Sequence, residues 1–141
     1  MSVRRWVLAL LLVVCAIQNA LLTIYTTSLK FGWTKPAPDT QRLVSLSNTS
    51  SVLQLAAGWI AIVLFFVAAW RLVRRKPSLG PYVMAFVLSA GNWLSFKLGS
   101  VYDRTFTPAE QKFDYVLLAM MVILGVAIWY FERMPTRTVR R

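Results

Sequence analysis

Four long apolar stretches run along the chain, at residues 6–25, 52–73, 81–102 and 115–131, and the segments between them hold most of its charge. At the ~1.5 Å rise per residue of an α-helix, each is near or beyond the length needed to cross a hydrocarbon layer ~30 Å thick. The pattern predicts an all-α, polytopic integral membrane protein. It is expected as a four-transmembrane-helix bundle, one membrane domain over residues 1–141, with outer loops at 26–51 and 103–114 and an inner loop at 74–80. The lipid bilayer is then its solvent and its first partner.

The breaks between stretches have their own chemistry. Gly32, Pro36 and Pro38 interrupt helix in the longest connection, and Ser47, Asn48, Thr49, Ser50 and Ser51 offer N-cap oxygens to the second helix. The turn at 76–81 is rich in proline and glycine, which predicts an antiparallel hairpin of helices two and three. Thr107-Pro108-Ala109-Glu110 has the form of a capping box with proline at the first helical position, so helix four should begin near Pro108. Trp6, Tyr25, Trp33, Trp70, Tyr82, Tyr102, Tyr115, Trp129 and Tyr130 fall near the stretch ends, where an amphipathic ring bridges lipid and headgroups. No repeat relates the two halves.

Composition agrees: 57% of residues are apolar and 15% charged, against ~25% charged in soluble domains. A net charge of +11 would suggest nucleic acid as partner of a soluble protein. Here the basic residues flank the apolar stretches, so anionic lipid headgroups are expected instead, at ~1 kcal/mol per residue, and no nucleic acid. Arg4, Arg5, Arg71, Arg74, Arg75, Lys76, Arg133, Arg137, Arg140 and Arg141 share one side, against Lys30, Lys35, Arg42, Arg104 and Lys112 on the other. The positive-inside rule places both termini in the cytoplasm, with Arg4, Arg5, Arg74, Arg75, Lys76 and Arg133 as membrane anchors. Glu132 is the one acid on that side; Asp39, Asp103, Glu110 and Asp114 are opposite.

Arg4 and Arg5 followed by the apolar run 6–17 resemble the start of a signal peptide. Gln18, Asn19 and Ala20 supply no small-x-small cleavage pattern, and Val14 is too large before Cys15 for a lipoprotein site, so the segment is expected to remain as a first transmembrane helix. Asn48-Thr49-Ser50 is formally a glycosylation sequon, and Arg4-Arg5 could act in retention at the endoplasmic reticulum of a eukaryote. A bacterial inner membrane accounts for the same residues and is the expected location.

Polar and small residues mark faces, at ~100° per residue. Cys15, Gln18, Asn19, Thr23 and Thr26 share one face of helix one; Gln54, Ala57, Gly58, Ala61, Ala68 and Ala69 one face of helix two; Gly91, Ser95 and Gly99, beside Asn92, one face of helix three; helix four has an isolated Gly125. Gly58, Ala61, Gly91, Ser95 and Gly99 are therefore candidates for close helix packing. Gln18, Asn19, Gln54, Asn92 and Lys97 are candidates for interhelical hydrogen bonds or for a polar path. Lys97 lies opposite the small-residue stripe with Phe86, Trp93 and Leu94, which predicts a lipid-facing lysine snorkelling over the Trp93 ring. The competing role is an anion-binding charge or a pair with Asp103 or Asp114.

The chain has no histidine, one cysteine and no carboxylate inside an apolar stretch. Histidine is the usual haem ligand and general base, and proton-coupled carriers generally need an embedded acid. No bound cofactor, no metal site and no catalytic constellation is expected, and no enzyme. What remains is a non-catalytic accessory, scaffold or assembly subunit packed against membrane-protein partners or copies of itself. The alternative is a small-solute or lipid-headgroup transporter acting as an oligomer.

Overall fold

The computed structural model describes residues 2–38 and 42–134, and among these every regular element is helical. In order they are α1 (Val3–Lys30), α2 (Arg42–Thr49), α3 (Val52–Val73), α4 (Leu79–Lys97), α5 (Ser100–Thr105) and α6 (Pro108–Arg133). Three helices, α1, α3 and α6, are long and apolar enough to cross a membrane. The 19-residue α4 is not among them, since Pro81, Ser89, Asn92, Ser95 and Lys97 dilute its apolar character.

Helix ends follow the local sequence. α1 continues past Tyr25 because Thr26, Thr27 and Ser28 return their hydroxyls to the carbonyls of Leu22, Thr23 and Tyr25 at 2.7, 2.6 and 2.9 Å, which removes the cost of burying them. It closes in a Schellman turn: Gly32 takes φ 71°, its N–H donates to Leu29 O, and Trp33 N–H donates to Ser28 O. α3 ends the same way, with Arg75 in the left-handed region at φ 57°, its N–H on Leu72 O and Lys76 N–H on Arg71 O. Among the described residues only this turn forces a non-glycine residue to positive φ, at a cost of ~1–2 kcal/mol. α3 begins in a Ser51/Gln54 capping box and α6 in a Thr107/Glu110 capping box with Pro108 behind it.

Two expectations change. The 26–51 connection contains the eight-residue α2, attached to α1 through Ser47 Oγ donating to Thr26 O at 3.0 Å and through Lys30 Nζ donating to Ser50 O. The stretch 81–102 is not one helix: it stops at Lys97, and extended Gly99 starts α5. Glycine is ~1 kcal/mol poorer than alanine in a helix interior, which makes position 99 a cheap place to break.

α3 packs between α1 and α4; α6 rests on α4 and touches α1; α2 and α5 cover one end. The chain therefore alternates direction along α1, α3, α4 and α6. The core is built from small residues around a few large ones: Ala16, Ala61, Ala68 and Ala85 with Leu12, Phe65 and Ile128 are fully buried. Outward faces are apolar, with Leu10, Val63 and Ile123 more than half exposed, the arrangement expected of helices whose surroundings are lipid.

Candidate functional site

Polar groups gather at three levels. In the interior, Asn19 donates from Nδ2 to Cys15 O at 2.8 Å and accepts from Ser89 Oγ at 2.8 Å, tying α1 to α4. Trp59 Nε1 donates to Thr27 Oγ1 at 3.2 Å, linking α3 to α1. At the exposed edge between α3 and α4, Gln54, beyond its capping role, donates from Nε2 to Ser95 Oγ at 2.8 Å, and Ser95 passes its own hydrogen to Asn92 O at 2.7 Å. Asn92 Oδ1 is buried without a partner, beside a cavity of about 30 Å³ that Thr26, Gln54 and Phe96 also line. That volume holds about one water. Gln18 is half-buried on α1.

The packing candidates separate. Gly58 is buried directly against Thr23 of α1, and Ala61 has no exposed surface. Gly91 is exposed, with open space where a Cβ would stand, and Ser95 and Gly99 are exposed too. The face of α4 that turns inward carries Tyr82, Ala85, Ser89 and Asn92 instead, while Gly91 shares the outward side with Val87 and Leu94. A stripe of small residues permits close approach; it does not compel it.

At the end covered by α2 and α5, Lys97 departs from its expected place. The face opposite the small-residue stripe is not open: α6 lies over it. Lys97 is half-buried there, with Nζ 4.9 Å from the Tyr102 ring centroid, 5.3 Å from that of Tyr115, and 3.4 Å from Gln111 Oε1. Trp93 packs edge-on to both tyrosines and donates from Nε1 to Tyr102 Oη at 3.3 Å. Tyr102 Oη in turn donates to Asp114 Oδ2. The break at Gly99 makes this possible, because it swings Tyr102 back over the end of α4.

Burial first, and then the hydrogen bond to Asp114, push the Tyr102 phenol up to about 12. A raised value means that the folded state favours the protonated phenol. Its contribution to stability is therefore intact below the ordinary tyrosine value of ~10 and is lost as pH rises through about 12. Tyr102→Phe is expected to remove a phenol titrating near about 12 from the tyrosinate absorbance curve, and to flatten the fall in thermal stability above pH ~10. A variant whose high-pH melting tracks the wild type would contradict the assignment.

At the opposite end, basic residues surround the start of α1, the α3–α4 turn and the end of α6. Arg71 Nε donates to Pro77 O at 2.6 Å, fixing the turn. Ser78 donates from its backbone N and Oγ to Glu132 Oε1 at 2.5 and 2.7 Å, fastening that turn to α6. Arg74 lies 4.5 Å from the Trp70 ring centroid, Arg133 4.6 Å from Trp129, and Arg5 5.1 Å from Phe131. Arg4, Arg74, Arg75, Lys76 and Arg133 are exposed, and Arg5 is half-buried. Arg137, Arg140 and Arg141, expected on this side, lie outside the described residues. The Glu132 link was not foreseen, although a single acid among ten basic residues was the signal that could have found it.

Among the described residues no group of three His, Cys, Asp or Glu side chains could hold a metal ion. Cys15 is a free thiol in partial contact with the core. Comparison of the chain with protein-family models, curated proteins and solved structures found no match to any of them.

Proposed function

We propose that this chain is a non-catalytic accessory or scaffold subunit of a membrane-protein assembly. In this reading α4 makes a fourth crossing beside α1, α3 and α6; both termini face the cytoplasm and the membrane is a bacterial inner membrane. At ~1.5 Å per residue the 19 residues of α4 span about 28 Å, close to a hydrocarbon thickness. The observation that carries the reading is how the polar groups between helices are engaged. Asn19 with Ser89, Gln54 with Ser95, and Trp59 with Thr27 each join two helices. Groups matched in this way serve assembly of the bundle, and they leave the apolar outward faces, including the open side of α4 at Gly91, for neighbouring subunits.

Affinity purification in mild detergent from the native membrane tests this. A defined partner, or a homo-oligomer, is expected to travel with the chain. A lone monomer with nothing enriched would count against it.

The second reading, a transporter acting as an oligomer, draws on Asn92, whose unpartnered Oδ1 borders the small cavity. Asn19→Leu and Asn92→Leu separate the two. Under the accessory reading Asn19→Leu lowers stability by about 1 kcal/mol, the worth of an interhelical hydrogen bond in lipid, with no solute flux to lose. A translocation path would lose flux in reconstituted vesicles while the bundle stays folded.

A further inference from the structure

At the basic end a cavity of about 280 Å³ opens between the first turns of α1, the α3–α4 connection and the last turn of α6. Its lining has two characters. Arg5, Arg75 and Lys76 supply cations against the one carboxylate of Glu132, while Leu72 and Phe131 form an apolar wall. Against these three cations Glu132 supplies a single negative charge, and its Oε1 already accepts from Ser78 at the backbone and at Oγ.

Arg5 points to what is missing. Its guanidinium rests on the Phe131 ring, and its Nη1 is buried without a hydrogen-bond partner. A buried guanidinium N–H with no acceptor is costly, and that cost is removed when the half-buried Arg5 turns Nη1 outward to an acceptor from outside the chain. Water alone would satisfy the N–H but leave the excess positive charge and the apolar wall unmatched. A phosphodiester answers each need: its anionic oxygens take the Arg5 fork, its one negative charge reduces the excess beside Arg75 and Lys76, and the glycerol and first acyl carbons lie along Leu72 and Phe131. Guanidinium and phosphate match in a two-pronged geometry that an ammonium cannot copy.

We propose that this cavity is a binding site for the phosphate headgroup of an anionic phospholipid, with Arg5 as its principal ligand. The proposal requires that the basic end lie at a leaflet surface. It does not depend on the accessory reading, and a lone monomer would leave it intact.

The test uses the full chain in bilayer nanodiscs of equimolar phosphatidylcholine and phosphatidylglycerol, followed by extraction into mild detergent and mass spectrometry of the intact complex. Wild type is expected to retain phosphatidylglycerol in preference to phosphatidylcholine. Arg5→Gln should lower that preference about tenfold and Arg5→Lys by less, whereas Arg4→Gln, which removes the same charge from the exposed neighbouring anchor, should lower it by about fivefold at most, the worth of one surface charge. Equal losses in Arg4→Gln and Arg5→Gln would mean a diffuse surface charge and overturn the site. No preference in wild type would overturn it whether or not any variant folds. Displacement of the retained lipid by millimolar inorganic phosphate would identify a free-phosphate site and overturn the lipid assignment.

Discussion

Gly58→Leu is expected to separate α1 from α3 while leaving both helical. A Cβ at position 58 would stand 2.9 Å from Thr23 Oγ1 and 3.0 Å from Thr23 Cγ2, with Thr23 Cβ at 3.6 Å. Threonine is branched at Cβ and both γ atoms face position 58, so any rotation about χ1 still leaves one of them in the way. The two backbones must move apart, and the bond from Trp59 to Thr27, one residue beyond the contact, stretches with them. Overpacking a tight core costs ~1–3 kcal/mol, and leucine at a glycine contact belongs at the upper end, about 3 kcal/mol. Helices in lipid keep their backbone hydrogen bonds when they part, so the loss should appear in packing rather than helicity. In an SDS titration from mixed micelles, the tryptophan-fluorescence midpoint should fall well below wild type while far-UV circular dichroism is unchanged. A midpoint equal to wild type would mean that Thr23 and Gly58 do not face each other.

Gly125→Leu should release α6. Here the Cβ would meet Tyr82 Cε1 at 2.9 Å and Cδ1 at 3.7 Å. The Tyr82 ring is 2% exposed, its hydroxyl donates to Met121 O one turn before Gly125, and its edge packs on Phe65 with centroids 6.0 Å apart. A ring held at both ends cannot turn aside. Within the apolar interior α6 is seated by few side chains, Leu124 and Ile128 being its buried ones, while its polar ties lie at the two ends, at Glu132 and at Gln111 and Asp114. The same overpacking cost of about 3 kcal/mol therefore falls on the sparsely packed middle of the helix. Near-UV circular dichroism, which reports immobilised aromatic rings, should collapse at lower SDS than in wild type. Tyr82→Phe keeps the ring and loses only the hydroxyl, so it should lose about 1 kcal/mol. If Gly125→Leu proves milder than Tyr82→Phe, the Tyr82–Gly125 contact is not what seats α6.

Much of the helix layout was legible because it depends on local chemistry. The Thr107/Glu110 capping box and the breakers at 76–81 act over a few residues, and α3 has the predicted bounds of 52–73. The misread third stretch depended on longer reach. Gly99 tolerates helix or extended backbone, and the break there accompanies contacts of Tyr102 with Trp93 of α4 and Asp114 of α6 that lie beyond the reach of local sequence. Lys97 follows the same logic: its helical angle fixes the side of α4 it occupies, and only the fold puts α6 on that side.

The apolar periodicity and the one-sided basic residues, local or additive properties of the chain, were enough to determine an all-helical protein with lipid-compatible faces and a positively charged end. Which faces meet was decided only by tertiary structure. In water, burial sorts residues by polarity, so a hydrophobic stripe marks the inside; in lipid the inside and outside of a helix are equally apolar, and shape complementarity together with hydrogen bonds between helices chooses between them. Gly58 found Thr23 and Gly125 found Tyr82, whereas Gly91, as small as either, was left facing outward.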